Sequence, residues 1–195
     1  MATFVMHPVF GAGAAYLVAR DRTGAPKFMA LSALCQWLPD IDTLAYLVGI
    51  SETHLLGHRG LAHSLVFASL VAWVVMQVWY RPLRVEGSRW WSTYSWFFLM
   101  TGLHGVFDAM TQGHLGVAFF WPFANARYAF PWQPLPDIPI AWSSLHGVLW
   151  QGLWVEVQFF SVLFVSLSML LRLQQVAWSR LTSHLLRRVS PAILD

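Results

Sequence analysis

The stretch LAHSLVFASLVAWVVMQVWY, residues 61–80, runs for twenty positions without one Asp, Glu, Lys or Arg. A helix of that length matches the hydrocarbon core of a bilayer, about 30 Å. Two more stretches have the same character. WSTYSWFFLMTGLHGVFDAMT fills 91–111, and residues 150–171 form a third span with Glu156 as its one acid. Segments 4–19 and 28–50 are weaker. The first is short and rich in glycine, and the second is interrupted at Leu38-Pro39. Proline disfavours helix in the residue before it. A helix is therefore expected over 28–38, stopping at the PDID turn, with 43–50 completing the crossing.

These five stretches predict an all-α, polytopic membrane bundle of about five transmembrane helices. Composition agrees. The chain of 195 residues is 57% hydrophobic and 11% charged, against about 25% charge in an ordinary soluble domain. It is expected to form a single integral-membrane domain over 1–195. Within it, 112–148 reads as an outer, apolar, proline-rich loop and 172–195 as a basic cytoplasmic tail. Proline excludes a long regular helix from that loop, and its Trp121, Trp132 and Trp142 suit a membrane interface. The first ten residues hold no Lys or Arg, so no cleavable signal is expected. The lone Cys35 excludes an internal disulfide.

Charge orients the bundle. Arg20, Arg22, Lys27, Arg81, Arg84, Arg89, Arg172, Arg180, Arg187 and Arg188 fall on one side of a five-span arrangement, and only Arg59 and Arg127 on the other. The positive-inside rule puts the ten in the cytoplasm, the N-terminus outside and the C-terminus inside. Basic residues confined to the gaps between spans describe topology, not a phosphate-tracking stripe, so no nucleic-acid partner is expected.

Against this apolar background one set of residues stands out: His7, Asp40 and Asp42, His58 and His63 in HRGLAHS, and His104 and Asp108 in HGVFD. Ionisable groups in an apolar chain are costly unless paired, and a divalent metal suits neutral imidazole with carboxylate. His104 and Asp108, four apart, share one helix face. His58 and His63, five apart, do not, but Gly57 and Gly60 allow a loop-to-helix transition that turns both inward. Asp42 has a competing role as a cap for a helix beginning near Thr43. All seven fall at the outer end of the bundle, although the charge count used none of them. Arg59, between two of the histidines, suits a phosphate or carboxylate. All seven are candidate ligands, Asp40 or Asp42 serving as general base where it is not a ligand, with Arg59 as phosphate clamp. His114 and His146 read as loop histidines, and Glu156 as a bundle-facing partner for Arg or His.

HPxxG near the start, LPDID, HRGLAHS, HxxxDxxT and GxxxxWPF, in that order over about residues 4–135, resemble the YdjM-like (LexA-regulated) family of bacterial inner-membrane, metal-dependent hydrolases. That family is similar to zinc-dependent phospholipase C and the fungal S-type nucleases. The resemblance implies a phospholipase C/nuclease-like metal site at the outer end, with His7, Asp42, His58 or His63, His104 and Asp108 as ligands, Asp108 as bridging carboxylate and Asp40 left as the base, and hydrolysis of a phosphoester. His104, Asp108 and His114 reproduce an H-x3-D-x5-H spacing of the phospholipase type. Ala62 replaces the usual Thr of the HRG motif, and position 150, four after His146, is Trp150 rather than an acid. One or two ions, zinc above others, are therefore expected rather than three.

The expected activity is metal-dependent hydrolysis of a phosphoester in a membrane lipid or lipid-linked substrate, at the outer face of a bacterial inner membrane. Two other classes compete. One is an ion or metal transporter, which would more often hold its His and Asp near the midplane. The other is a non-catalytic scaffold with a structural metal.

Overall fold

The computed structural model describes residues 5–19, 23–137 and 148–189. Its regular elements are all helical, with isolated bridges only at Thr111–Leu135 and Val117–Tyr128 among the described residues. Five α-helices follow in order: α1 Met6–Val18, α2 Ala25–Trp37, α3 Leu65–Trp79, α4 Gly87–Ala109 and α5 Val148–Val189. The chain divides into two compact units, residues 1–159 and 160–195. The first holds α1 to α4, the described part of the loop after α4 and the start of α5. In its described part the second is the remainder of α5.

Local chemistry sets the boundaries. Pro26 sits in the first turn of α2, where its missing N–H costs nothing. Pro39 then ends the regular helix, and the chain tightens into a 3-10 run over Leu38–Val48. Gly49 closes that run in the left-handed conformation, φ 73°. The side chain of Ser64 accepts from the Phe67 N–H at 3.1 Å and so caps α3. At the other end, Lys27 Nζ donates to the Trp79 carbonyl at 2.9 Å. A short 3-10 turn, Arg81–Glu86, leads into α4.

Packing runs α1 on α2, α2 on α4 and α3 on α4. Small residues make the α1–α2 contact close. A Cβ on Gly11 would fall 2.5 Å from the Ser32 carbonyl oxygen and 2.9 Å from Gln36 Cγ. Polar side chains tie the other pairs: Trp96 Nε1 donates to Ser32 Oγ at 2.8 Å, and the hydroxyls of Ser69 and Tyr94 lie 2.7 Å apart.

The all-α expectation holds. The count of five crossings is not carried by helix length. Among the described residues one helix, Trp150–Ser183, is long and apolar enough to cross a membrane by itself. Leu65–Trp79 and Arg81–Ala109 pass only when taken together, and they are bent by 107°. At 13 residues each, α1 and α2 reach about 20 Å. The helix ends at the PDID segment as expected, but the sequence reading assigned 43–50 and 61–64 to spans, and the structure uses them otherwise. Residues 38–48 form the 3-10 run, Leu61–His63 is a separate 3-10 turn, and α3 starts only at Leu65. His63 therefore lies ahead of the helix rather than in its first turn, and no α-helix begins near Thr43 for Asp42 to cap. Beyond residue 171 the helix continues to Val189. Arg20, Arg22, Trp142 and His146 lie outside the described residues.

Candidate metal centre

Two helix ends and two connecting segments meet at one end of the first unit. His7 comes from the first turn of α1, Asp40 and Asp42 from the 3-10 run after α2, His58 and His63 from the segment before α3, and His104 and Asp108 from the last turns of α4. All seven predicted residues come together. Asp42 is partly exposed and the other six are buried.

Hydrogen bonds fix the three central imidazoles. His104 Nδ1 lies 2.6 Å from the Gln36 carbonyl oxygen, which can only accept, so Nδ1 carries the hydrogen. Asp42 does the same for two rings, with Oδ1 2.7 Å from His58 Nδ1 and Oδ2 3.0 Å from His63 Nδ1. Each ring then presents the lone pair of Nε2. Those of His63 and His104 meet at 3.1 Å. Two lone pairs at that distance repel, and a positive charge shared between them, a proton or a metal ion, makes the contact attractive.

Carboxylates complete the set. His63 Nε2 is 3.2 Å from Asp108 Oδ2, and His104 Nε2 is 3.3 Å from Asp40 Oδ1. His58 Nε2 is 4.0 Å from Asp108 Oδ2, and His7 Nε2 is 3.7 Å from Asp108 Oδ1. The His7 and His104 rings lie 4.0 Å apart. Ligand atoms of Asp40, His63, His104 and Asp108 all lie within 4.8 Å of one another, as do those of Asp42, His58 and His63. Tetrahedral zinc, with bonds of about 2.0–2.1 Å, separates its ligand atoms by about 3.3 Å. The contacts of 3.1, 3.2 and 3.3 Å match that edge. The orphaned atoms point the same way: both Asp40 oxygens, Asp108 Oδ1 and His58 Nε2 are buried without a hydrogen-bond partner. The donor set fits a divalent metal.

Arg59 sits against this cluster, fully buried, at φ 65°. A non-glycine residue in the left-handed region is uncommon and marks a constrained position. The constraint comes from both sides. Its N–H donates to Asp42 Oδ2 at 3.2 Å, and its carbonyl accepts from the Ala118 N–H at 3.0 Å. Its Nε donates to Asp108 Oδ2 at 3.0 Å. Nη1 and Nη2 are buried with no hydrogen-bond partner.

Two features escaped the sequence reading. Gln36 is buried, supplies the carbonyl that orients His104, and has no hydrogen-bond partner for either side-chain amide atom. The only available signal was a lone amide in an apolar helix. Arg127 clamps the corner that carries His58 and Arg59. Its Nη1 donates to the carbonyls of His58, Arg59 and Gly116 at 3.4, 3.3 and 3.2 Å, and its Nη2 to those of Glu52 and His54. Burial pushes this guanidinium down from its ordinary value. His114, read from the sequence as a loop histidine, is one: it bridges Glu52 at 3.3 Å and Asp137 at 2.9 Å. Its spacing from Asp108 thus serves a loop contact.

The profile of the YdjM inner membrane protein family matches residues 1–179. The inner membrane protein YbcI of Escherichia coli (strain K12) is 33% identical over 120 residues, which is 60% of this chain and 66% of that relative. No solved structure matches. With the family profile spanning nearly the whole chain, this protein belongs to the YdjM family of inner membrane proteins.

Proposed function

We propose that this protein is a metal-dependent hydrolase that acts on a phosphoester of a lipid or lipid-linked substrate at the outer face of the inner membrane. One observation carries the reading. Three histidines, their Nδ1 atoms tied to acceptors, turn Nε2 toward two carboxylates, directly beside a buried arginine with two unused donors.

The roles follow from this geometry. Asp40, His63, His104 and Asp108 are the proposed ligands of a first ion, with His7 and His58 on the two sides of Asp108 available to a second. Asp42 changes role relative to the sequence reading. Its oxygens face Nδ1 atoms, so it orients His58 and His63 and raises their basicity. Asp40 changes in the opposite sense, from base to ligand. A divalent cation held here would act as a Lewis acid on a phosphoryl oxygen. Arg59 presents a planar pair of donors that suits two phosphate oxygens. Its bond to Asp108 fixes the guanidinium plane relative to the cluster. The low-dielectric surroundings strengthen every charge interaction there.

A five-crossing topology accompanies this reading, supported by the ten-to-two distribution of basic residues. It places the cluster at the periplasmic end.

The test uses full-length protein in nanodiscs. Elemental analysis should find zinc or another divalent metal, and phosphate release should be measured over a panel of lipid phosphates and phospholipids. His104→Ala and Asp108→Ala should each lose most of the metal and the turnover. Arg59→Lys should keep the metal and lose turnover. Full metal occupancy in the double alanine variant would reject the centre. Metal uptake into vesicles without turnover of any phosphoester would favour transport over hydrolysis.

A further inference from the structure

The loop after α4 builds a cavity that the metal centre does not use. It measures about 280 Å³ and is lined by Phe119, Phe120, Tyr128, Ala129 and Phe130. Small-molecule sites begin at about 300 Å³ and are mostly apolar. Phe120 and Tyr128 meet edge to face at 5.3 Å, and with Phe130 they keep 44–48% of their surface exposed. The cavity is thus open as well as aromatic. Its floor is held by a reciprocal pair of backbone hydrogen bonds between Val117 and Tyr128, both 2.9 Å.

This cavity is fixed to the metal centre. The Ala118 N–H donates to the Arg59 carbonyl at 3.0 Å, and the next residue, Phe119, accepts from the Leu65 N–H at 2.9 Å. The Phe119 ring lies over α4 where glycine leaves room: a Cβ on Gly105, the neighbour of His104, would sit 3.2 Å from Phe119 Cε1. One residue, Ala118, therefore links the backbone of Arg59, whose side chain carries two buried unpartnered donors, to the apolar, aromatic cavity.

We propose that the cavity is an acyl-chain subsite, taking the hydrocarbon chain of a lipid whose phosphate lies on Nη1 and Nη2 of Arg59. The occupant follows from complementarity at both ends. The unpartnered guanidinium donors call for acceptors, which two phosphate oxygens supply, and the aromatic lining favours hydrocarbon. An inner membrane supplies molecules that carry both. The inference rests on Arg59 binding phosphate, as proposed above, and does not depend on hydrolysis.

The experiment is photolabelling of the full chain in nanodiscs. The probe is phosphatidic acid with a diazirine at the end of one acyl chain, and labelled residues are mapped by mass spectrometry. Labelling should concentrate on 119–130 and exceed that of a diacylglycerol carrying the same diazirine. The excess should disappear in Arg59→Gln. It should also disappear in Phe120→Ser/Phe130→Ser, with metal content and labelling of α5 unchanged. Equal labelling by the two probes would make this a plain lipid-facing surface and overturn the proposal, as would excess labelling that survives both variants. The outcome is separable from that of the hydrolase reading. Labelling needs no turnover, and a hydrolase without this subsite would cleave short-chain and long-chain phosphoesters alike.

Discussion

At the scale of single residues, the cluster shows how two carboxylates two positions apart acquire different work. In a 3-10 run successive residues rotate by about a third of a turn, so Asp40 and Asp42 face different directions. Asp40 faces His104 Nε2, and Asp42 faces the Nδ1 atoms of His58 and His63. A graded prediction follows. Asp42→Asn should weaken zinc affinity by about 10–100-fold, the usual effect of removing a group that orients a ligand, whereas Asp108→Asn should remove most of the metal outright. Chelator competition on the two variants measures the difference. If Asp42→Asn empties the site as fully as Asp108→Asn, then Asp42 is itself a ligand. All seven members of the cluster were legible in the sequence, because each is an ionisable group in an apolar chain. Their division of labour was not. It depends on which face of a tight turn each side chain occupies, and a proline-containing PDID segment leaves that undetermined. Gln36 was invisible for a related reason: it contributes a backbone carbonyl, which every residue has.

At the scale of elements, the close approach of α1 to α2 decides whether His7 reaches the cluster. His7 and Gly11 are one turn apart on α1. Gly11 touches Ser32 and Gln36 of α2, and Gln36 in turn orients His104. Small residues at such contacts let helix backbones approach. Gly11→Ala places a methyl group 2.5 Å from the Ser32 carbonyl oxygen, a backbone atom with little freedom to move. Overpacking of this kind costs about 1–3 kcal/mol. The expected result is a lower melting temperature in detergent together with reduced zinc occupancy, while Ala14→Gly, nearby on the same helix, should leave the metal in place. A Gly11→Ala variant with wild-type melting and full occupancy would separate α1 packing from the site. Helix existence was legible throughout, from apolar runs punctuated by Gly and Pro. Helix extent was not. The segments 43–48 and 61–63 look apolar enough to belong to spans, yet they fold as 3-10 turns beside the cluster residues Asp40, Asp42, His58 and His63.

At the scale of the whole molecule, the strongest topological statement concerns α5. Among the described residues it alone is long and apolar enough to cross a membrane unaided, and its basic residues lie toward one end. Residues 148–171 contain no Lys or Arg, while Arg172, Arg180, Arg187 and Arg188 follow. The positive-inside rule puts that end in the cytoplasm whatever the shorter helices do. A reporter fused after Asp195 should therefore read cytoplasmic and one inserted at Gly113 periplasmic. The remaining crossings are a separate matter. α3 has 15 residues, about 22 Å, and would need local bilayer thinning to span about 30 Å. A third reporter at Gly87, between α3 and α4, decides it. The five-crossing arrangement expects Gly87 in the cytoplasm, where Arg81, Arg84 and Arg89 would lie. A periplasmic reading there would mean that α3 and α4 dip into the outer leaflet and return. The metal centre would keep its periplasmic mouth, but the bundle would be anchored by fewer true crossings. A cytoplasmic reading at Gly113 would instead move the whole cluster to the other face and replace periplasmic lipid phosphates with cytoplasmic ones as the substrate pool.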